Sequence, residues 1–414
     1  MATRYADPVR LAAYTAPAYD LIEPAERARL TSADPRSIVH LTLPTFGAED
    51  AAARLAAWRA DGTFAVERAT ALYVYELAGP RPQPPTRGWV GAVALAPSTV
   101  VAPHEATVAA VVADRRALRA ATHADLEPVV FAHGGPPGPA AALAGRIVAE
   151  RTPDADLTDD VGVRHRLWRV ADPAQVATVR ADLARRHAVI ADGHHRWAAA
   201  SAAAPASAAA PASAAAPASA AAPAAAPAAA PAAAPAATLP ASGAAGRVLA
   251  LVVPAGEHGP QVRAIHRVLP GTTLDRLDVR HFRSTPTEPL TAAEAEELLA
   301  ATTTPLVLAT DGERWRRLTD PATAAVAPAA WRELPVALVD VLLVGERAVV
   351  LRHSVAAAVD EARRSDGVAL LVPATATATV LDLAARGVLM PRKSTFFVPK
   401  PRTGLVLRCF ADQR

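Results

Sequence analysis

The chain has 414 residues, of which 51% are hydrophobic, and a formal net charge of only +3. This length predicts two or three domains with sizeable cores, and the balanced charge gives no concentrated basic surface of the kind that binds nucleic acid. Cys409 is the only cysteine, which excludes internal disulfides and cysteine-rich zinc sites. No apolar segment follows the charged start of the chain, so we expect a cytoplasmic protein without a secretory signal or a membrane span.

The periodicity of apolar residues alternates between helical and strand-like spacing, which predicts a mixed α/β protein with a mixed sheet. Helices are predicted over residues 23–30, 48–61, 173–186, 291–299, 338–343 and 380–386. Strands are predicted over residues 37–43, 71–77, 89–95, 129–131, 164–170, 188–191, 248–253, 274–282, 306–310, 315–318 and 368–372. Asp311-Gly312 predicts a hairpin turn between two of these strands.

A tract of alanine with regularly spaced proline occupies residues 198–245. Proline at this spacing prevents a continuous helix, and the tract has no side chains that could form a core, so we predict a disordered insertion. The remainder divides into an N-terminal α/β region, residues 1–160, and a C-terminal α/β region, residues 161–197 and 246–414.

The segment Ala188–Trp197 is the strongest candidate for a functional site. A buried strand ends at Asp192, Gly193 breaks it, and His194-His195-Arg196 reads as the first turn of a helix. Such a turn exposes unpaired backbone N–H groups at a helix N-terminus, which favour the binding of an anion. The planar guanidinium of Arg196 has donors in a geometry that suits phosphate. Asp192, His194 and His195 could move protons, or Asp192 could simply cap the helix. Adjacent histidines diverge too far to share an ion, so no metal site is predicted.

Two further segments carry polar side chains at the ends of predicted elements. His104-Glu105 stands at the entry to a helix. Lys393 and Lys400 are the only lysines in a chain whose other basic side chains of this kind are all arginine. A position that keeps lysine could need its compact ammonium group, for example to contact a phosphate. Gly387 and Lys393-Ser394 have the spacing of a phosphate loop, but Arg392 replaces its second glycine. What remains is a polar strand end with Ser394 and Thr395 that could contact an anion.

Several of these segments together resemble the prokaryotic family called domain of unknown function 1015. The matching pieces occur in the family's order: Pro17–Ile22, Pro103–Thr107 with Asp114-Arg115, Ile190–Arg196, Ile265–Arg267, and Met390–Lys400 with Thr403–Leu405. The Asp-Gly-His-His-Arg motif also resembles the phosphate-binding Gly-x-His-Arg element of the ParB/sulfiredoxin-like superfamily, which includes kinases acting on free serine. In this chain Ala198 follows the aromatic Trp197, where the family commonly has an acidic residue.

This resemblance implies a ParB/sulfiredoxin-like phosphate-binding core in which Gly193, His195 and Arg196 contact a nucleotide phosphate. His194 would stand where sulfiredoxin has its reactive cysteine, which argues against sulfinic-acid repair. The leading hypothesis is a small-molecule kinase that uses ATP or ADP with Mg²⁺. Asp192 or Glu105 would be the general base, and Lys393 and Lys400 would neutralise charge.

The alternatives are a non-catalytic nucleotide- or metabolite-binding regulator and a phosphohydrolase. Either function would use the same anion site. All three hypotheses predict a small phosphate-bearing ligand as the partner, and none predicts a nucleic acid. The catalytic hypothesis further expects the lysine-bearing strand to converge on the pocket opened by the histidine-arginine turn.

Overall fold

The computed structural model describes residues 2–67, 69–80, 83–96, 100–203, 246–302, 305–326 and 328–410. The strands are β1 (Ala2–Tyr5), β2 (Phe64–Val66), β3 (Leu72–Ala78), β4 (Thr86–Ala94), β5 (Val101–Ala102), β6 (Ala124–Asp125), β7 (Val129–His133), β8 (Ala155–Thr158), β9 (Arg164–Val170), β10 (Ala188–Asp192), β11 (Arg247–Pro254), β12 (Gln261–Arg263), β13 (His266–Leu269), β14 (Arg283–Thr287), β15 (Val307–Thr310), β16 (Trp315–Thr319), β17 (Val350–Arg352), β18 (Val368–Leu371), β19 (Phe396–Val398) and β20 (Leu407–Cys409).

The α-helices are α1 (Leu11–Tyr14), α2 (Pro24–Ala33), α3 (Val39–Thr42), α4 (Ala48–Ala60), α5 (Ala109–Thr122), α6 (Pro139–Glu150), α7 (Pro173–Leu183), α8 (His194–Ala203), α9 (Ala292–Ala301), α10 (Pro335–Val339), α11 (Val355–Arg364) and α12 (Thr377–Ala385). A π-helical turn, Asp340–Val344, continues α10. Within the described ranges, no helix is both long and apolar enough to cross a bilayer.

The chain forms two compact units. Unit 1 comprises Met1–Ala102, Thr107–Pro254 and Pro401–Arg414, and unit 2 comprises Pro103–Ala106 and Ala255–Lys400. These two units are defined by contacts in the structure. The division into residues 1–160 and residues 161–197 with 246–414 was based on composition, and it stays a prediction. Residues 198–203, assigned there to the insertion, form the end of α8, and residues 204–245 lie outside the described residues.

Unit 1 is built on a mixed eight-stranded sheet with the order β5-β10-β7-β11-β4-β3-β9-β8. The pairs β10/β5 and β11/β7 are parallel and the others are antiparallel, so the predicted mixed α/β class with a mixed sheet is confirmed. A second, four-stranded sheet in this unit has the order β2-β1-β20-β6. Its pairing joins a strand near the start of the chain to one near its end.

Helix α8 is anchored to the eight-stranded sheet by its apolar side. Trp197 contacts Phe131 of β7 edge to face, with the ring centroids 5.3 Å apart, and Ala200 is fully buried in the same core. Strands β5, β7, β10 and β11 and Leu95, the residue directly after β4, supply the rest of that core. The burial of Trp197 therefore fixes the start of α8 against the end of β10, and this contact positions the candidate site.

Unit 2 is an antiparallel six-stranded sheet, ordered β14-β16-β15-β18-β13-β17, with helices on both faces. Helices α9 and α11 cover one face, and α10 with its π-helical continuation covers the other. Thr291 and Glu294 form a reciprocal capping box at the start of α9. The predicted hairpin at Asp311-Gly312 is confirmed, because β15 and β16 pair across it from Thr310 and Trp315.

Two predicted strands are wrong. Residues 37–43 contain helix α3 instead, because Ile38, Leu41 and Thr42 are buried together at helical spacing and the apparent alternation was incidental. Residues 274–282 form turns, with Leu274 and Leu277 inserted into the core of unit 2. In both cases a short apolar run was compatible with more than one structure.

Candidate functional site

The sharp turn between β10 and α8 forms the centre of the candidate site in unit 1. The pairing of β10 with β7 shifts register between Ile190 and Asp192, and such a bulge re-aims the side chains at the end of a strand. Gly193 follows with φ +92°, a conformation that L-residues rarely adopt. A Cβ there would lie 3.0–3.1 Å from the guanidinium of Arg196. The backbone conformation therefore favours glycine, and any larger residue would also have to displace the Arg196 guanidinium slightly.

The guanidinium of Arg196 folds back over this turn. One terminal nitrogen donates to Asp192 Oδ2 at 2.5 Å, and the other donates to the Pro128 carbonyl at 2.6 Å and lies 3.9 Å from Glu127 Oε2. Burial lowers the pKa of Arg196, but Glu127 and Asp192 outweigh it and raise that pKa above its ordinary value. The Nε atom of Arg196 is buried and has no hydrogen-bond partner within the described ranges. Arg196 is thus held through both terminal nitrogens, and its Nε–H is the nitrogen that lacks an acceptor among the described residues.

Glu127 is a central residue of this site that the sequence analysis did not single out. It is 5% exposed, and it accepts the Tyr19 N–H at 3.0 Å and the Thr403 hydroxyl at 2.6 Å. Tyr19 and Thr403 belong to two of the segments quoted for the family resemblance. Glu127 therefore connects three motifs from distant parts of the chain, namely those of Tyr19, Arg196 and Thr403.

A small cavity of about 50 Å³ opens beside Arg196 within unit 1. Its polar lining residues are Thr42, Arg115, Arg119, Asp125, Glu127 and Arg196. Arg119 is paired with Asp125 at 2.8 Å, and Arg115 lies over the Tyr19 ring at 4.5 Å. Arg115 and Arg196 also contact Asp114 and Asp192 at 2.5 Å, so each of the three arginines that line the cavity is paired with a carboxylate.

The electrostatic setting of Tyr19 and His195 is also fixed by their neighbours. Burial raises the pKa of the Tyr19 phenol to about 12, so this group stays protonated near neutral pH. His195 Nε2 accepts the N–H of Val108, the residue before α5, at 3.0 Å. That bond assigns the ring proton of His195 to Nδ1. His194 occupies the first position of α8.

The remaining predicted site residues come together in unit 2. Glu105 accepts the N–H groups of Lys393 at 3.0 Å, Ser394 at 3.1 Å and Thr395 at 3.3 Å. The His104 ring nitrogen Nε2 lies 2.7 Å from Thr395 Oγ1. These bonds engage the lone pairs that Glu105 would need as a general base. The Lys400 ammonium lies 5.6 Å from the centroid of the Phe396 ring.

The structure therefore brings the predicted residues together in two groups. Asp192, Gly193, His194, His195 and Arg196 belong to unit 1, and the residues from His104-Glu105 and from 393–400 belong to unit 2. The convergence of the two groups on one ligand stays a prediction. Within the described ranges, no cluster of three or more His, Cys, Asp or Glu side chains is arranged to hold a metal ion.

The fold and this turn define a mixed α/β protein with a candidate anion site at a strand-glycine-helix junction. The chain belongs to the family described as "Protein of unknown function (DUF1015)", whose model matches residues 1–337. The Gly193 turn lies within that match, whereas Lys393 and Lys400 lie beyond it. No curated protein matches the chain.

Among solved structures, the chain is similar to "Free serine kinase in complex with AMP", with 13% identity, 76% of this chain and 92% of that chain covered, and a TM-score of 0.36. It is similar to a conserved hypothetical protein from Pyrococcus furiosus at 13% identity, with 78% and 97% covered and a TM-score of 0.36. It is also similar to SbnI from Staphylococcus aureus at 9% identity, with 77% and 87% covered and a TM-score of 0.36. At these scores the likeness carries no inference about function.

Proposed function

We propose that this protein is a phosphate-handling enzyme of the small-molecule kinase type, and that the β10–α8 turn binds a phosphate group of the nucleotide. The observation that carries the proposal is the buried Nε of Arg196, which has no hydrogen-bond partner among the described residues and belongs to a side chain that lines the cavity. A buried donor without an acceptor is costly, and a ligand oxygen would satisfy it. The resemblance of the motif to the Gly-x-His-Arg element of the ParB/sulfiredoxin-like superfamily supports the same assignment.

In this proposal the phosphate is bound by three features of the turn. The backbone N–H groups at the start of α8 and the helix dipole favour a negative charge. Gly193 allows the ligand to approach the backbone closely, because it has no side chain. Arg196 and the Nδ1 side of His195 then donate to phosphate oxygens. The cavity of about 50 Å³ has room for a phosphate group and not for a purine, and of the residues at the turn Arg196 lines it.

The chemical step assigned to this site is phosphoryl transfer from ATP or ADP. The oxygen of an acceptor hydroxyl attacks the terminal phosphorus, the bond to the leaving phosphate oxygen breaks, and the hydroxyl proton passes to a base. Asp192 is the first candidate for that base, and Glu105 is the second. His194, two residues after Asp192, could relay the proton. Arg196 donates to Oδ2 of Asp192, and phosphate binding to Arg196 would weaken this bond and make the carboxylate a stronger base.

A divalent cation is part of the proposal. Mg²⁺ keeps several waters and is commonly held by one or two carboxylates together with substrate phosphates, so the absence of a three-residue cluster among the described residues does not count against it. Asp192 is the carboxylate of the turn that could contribute. When bound, Mg²⁺ would neutralise charge on the transferring group.

The residues of unit 2 receive anion-binding roles in the same proposal. The ammonium groups of Lys393 and Lys400 would neutralise phosphate charge, Ser394 and Thr395 would donate through their N–H groups, and His104 would act through the Thr395 hydroxyl that it contacts. These assignments are supported by the hydrogen bonds that already connect His104, Glu105 and residues 393–395.

A second candidate function is favoured by the internal bonding of Arg196. Both terminal nitrogens of its guanidinium already donate to Asp192 and Pro128, an arrangement suited to binding without chemistry. In that case the protein is a nucleotide- or metabolite-responsive regulator. Phosphohydrolysis differs from the kinase only in using water as the acceptor.

One incubation separates these functions. The protein is mixed with ATP or ADP, Mg²⁺ and a panel of hydroxyl metabolites, including free serine, and the products are followed by phosphorus NMR. A new phosphoester supports the kinase, and inorganic phosphate formed without an acceptor indicates hydrolysis. Ligand-dependent thermal stabilisation without any product would replace the enzyme with the regulator.

A further inference from the structure

The loop that follows Met390 holds an internal carboxylate in a ring of backbone donors. Glu105 Oε2 accepts the N–H of Lys393 at 3.0 Å, and Oε1 accepts the N–H groups of Ser394 at 3.1 Å and Thr395 at 3.3 Å. The Thr395 hydroxyl adds a fourth bond to Oε1 at 3.1 Å. Three successive N–H groups thus converge on one anion, which is the arrangement of an anion-binding nest.

The backbone of this loop is shaped for that purpose. Lys393 has φ +57°, an uncommon conformation for a residue that is not glycine. That left-handed turn directs the N–H groups of residues 393–395 to the same side. Ser394 is almost fully buried and its hydroxyl donates to the Pro391 carbonyl at 2.5 Å, which closes the loop on itself. The donors are therefore fixed before any ligand arrives.

His104 completes the site from a neighbouring segment. Because the Thr395 hydroxyl donates its proton to Glu105, the His104 nitrogen at 2.7 Å from the same oxygen must be the donor in that contact. The Met390 N–H donates to the His104 carbonyl at 2.7 Å, which fixes the two segments in register. His104 is a positioning residue for the Thr395 hydroxyl.

We infer that residues 391–395 form an oxyanion-binding site that Glu105 occupies in the absence of ligand, and that a phosphate group displaces Glu105 from it. The carboxylate side chain is 14% exposed, so the site is open to an incoming anion at its edge. Arg392 and Lys393 are part of the loop itself, and their charges favour a phosphate over a carboxylate because the phosphate carries more charge. The assignment of phosphate as the ligand rests on the proposed function; the occupation by Glu105 does not.

Displacement has a chemical consequence. Once the three N–H groups of the loop and the Thr395 hydroxyl bind a phosphate, the Glu105 carboxylate loses these four donors and becomes a stronger base. Binding of the anion and release of the base would then be one event.

The test is chemical rescue of Glu105→Ala by inorganic phosphate, with no turnover required. Glu105→Ala removes the internal anion and leaves the donors unsatisfied, so the thermal midpoint should fall and saturating phosphate should restore most of the loss. Phosphate should also bind this variant at least about tenfold more tightly than the unaltered protein, because no internal carboxylate competes.

The matched control is Asp311→Ala in the same unit. Asp311 also accepts two backbone N–H groups of a turn, from Glu313 and Arg314, but it is not part of this loop. Its loss should lower the midpoint without rescue by phosphate. If Glu105→Ala does not fold, Glu105→Gln retains the side-chain volume, and phosphate should still bind it more tightly than the unaltered protein.

The inference is overturned if phosphate fails to rescue Glu105→Ala or rescues Asp311→Ala equally well. Rescue by acetate alone also overturns it, because the site would then accept carboxylates only. A protein that forms no phosphoester in the kinase assay can still show this rescue, so failure of the proposed function and failure of this inference are distinguishable.

Discussion

The guanidinium of Arg196 donates to the Asp192 carboxylate at 2.5 Å, across the turn that joins β10 to α8. The same unit contains a second pair with this spacing, in which Arg186 donates to Asp182 at 2.9 Å near the end of α7. Both carboxylates are four residues before their arginine. The second pair therefore supplies a matched control for every experiment on the first.

Asp192→Asn should lower phosphoryl-transfer turnover by about 10²- to 10⁴-fold, the usual contribution of a general base. Asparagine keeps the hydrogen bond to Arg196 but cannot accept the acceptor's proton. Asp182→Asn should leave turnover per folded molecule unchanged. Steady-state rates of the two variants check this prediction, and full activity of Asp192→Asn would remove Asp192 from the mechanism.

Gly193→Ala should destabilise unit 1 more than Gly62→Ala. Both glycines have a positive φ, +92° and +80°, so each substitution incurs the left-handed penalty of about 1–2 kcal/mol. A Cβ at Gly62 has nothing within 4 Å, whereas one at Gly193 contacts the Arg196 guanidinium. Urea titration should show an additional loss of about 1 kcal/mol or more for Gly193→Ala. Equal losses would mean that Arg196 can move aside without cost.

Glu127→Ala should lower the free energy of unfolding by about 3 kcal/mol, because it leaves the Tyr19 N–H, the Thr403 hydroxyl and the Arg196 charge without this carboxylate. Glu127→Gln keeps an acceptor and should cost less. Since it also removes a negative charge 3.9 Å from Arg196, it should tighten phosphate binding.

Glu76→Gln provides the control for Glu127. Glu76 is also buried and accepts bonds from Arg87 and Arg166, but it does not line the cavity. Its substitution should destabilise the protein with no change in phosphate affinity. Weaker phosphate binding by Glu127→Gln in calorimetry would contradict the charge argument.

The free energy of unfolding should fall as the pH is lowered from 6.5 to 4, because of the shifted pKa of His266. Burial, with help from Arg267 and His353, lowers the pKa of this histidine from 6.5 to about 4. The unfolded chain therefore takes up a proton in this window while the folded protein does not, and unfolding becomes easier as the pH falls. The full contribution is about 3 kcal/mol.

His266→Asn can still accept the Val372 N–H in place of Nδ1, and it should flatten this part of the pH profile. The exposed His187, replaced in the same way, serves as the control. Urea titrations at several pH values measure the difference between each variant and the unaltered protein. An unchanged slope for His266→Asn would show that His266 takes up its proton in the folded state.

Local features of the site were predictable from the sequence, and its long-range partners were not. The strand, the Gly193 break and the helix start at His194 follow from residue types within ten positions of one another. Glu127 could not be found in this way, because its partners Tyr19 and Thr403 are 108 and 276 positions away along the chain. No spacing rule relates such residues; only the packing of β7, β10 and the terminal segment brings them together.

The same limit applies to Glu105. From the sequence, Glu105 and Lys393–Thr395 were candidates with separate roles, the first as a base and the others as phosphate ligands. Their hydrogen bonds connect positions 288–290 residues apart, and they depend on the left-handed conformation of Lys393, which the residue type does not predict. The residues were identified correctly as candidates, whereas their relationship required the fold.

The most direct measurement of the central claim is the affinity of Arg196→Gln for inorganic phosphate and ATP, compared by calorimetry with Arg186→Gln. If the β10–α8 turn binds phosphate, loss of Arg196 removes charge-assisted hydrogen bonds and should weaken binding by about 30-fold or more, while Arg186→Gln binds as the unaltered protein does. Equal affinities for the two variants, with both folded, would contradict the claim that this turn is the phosphate site.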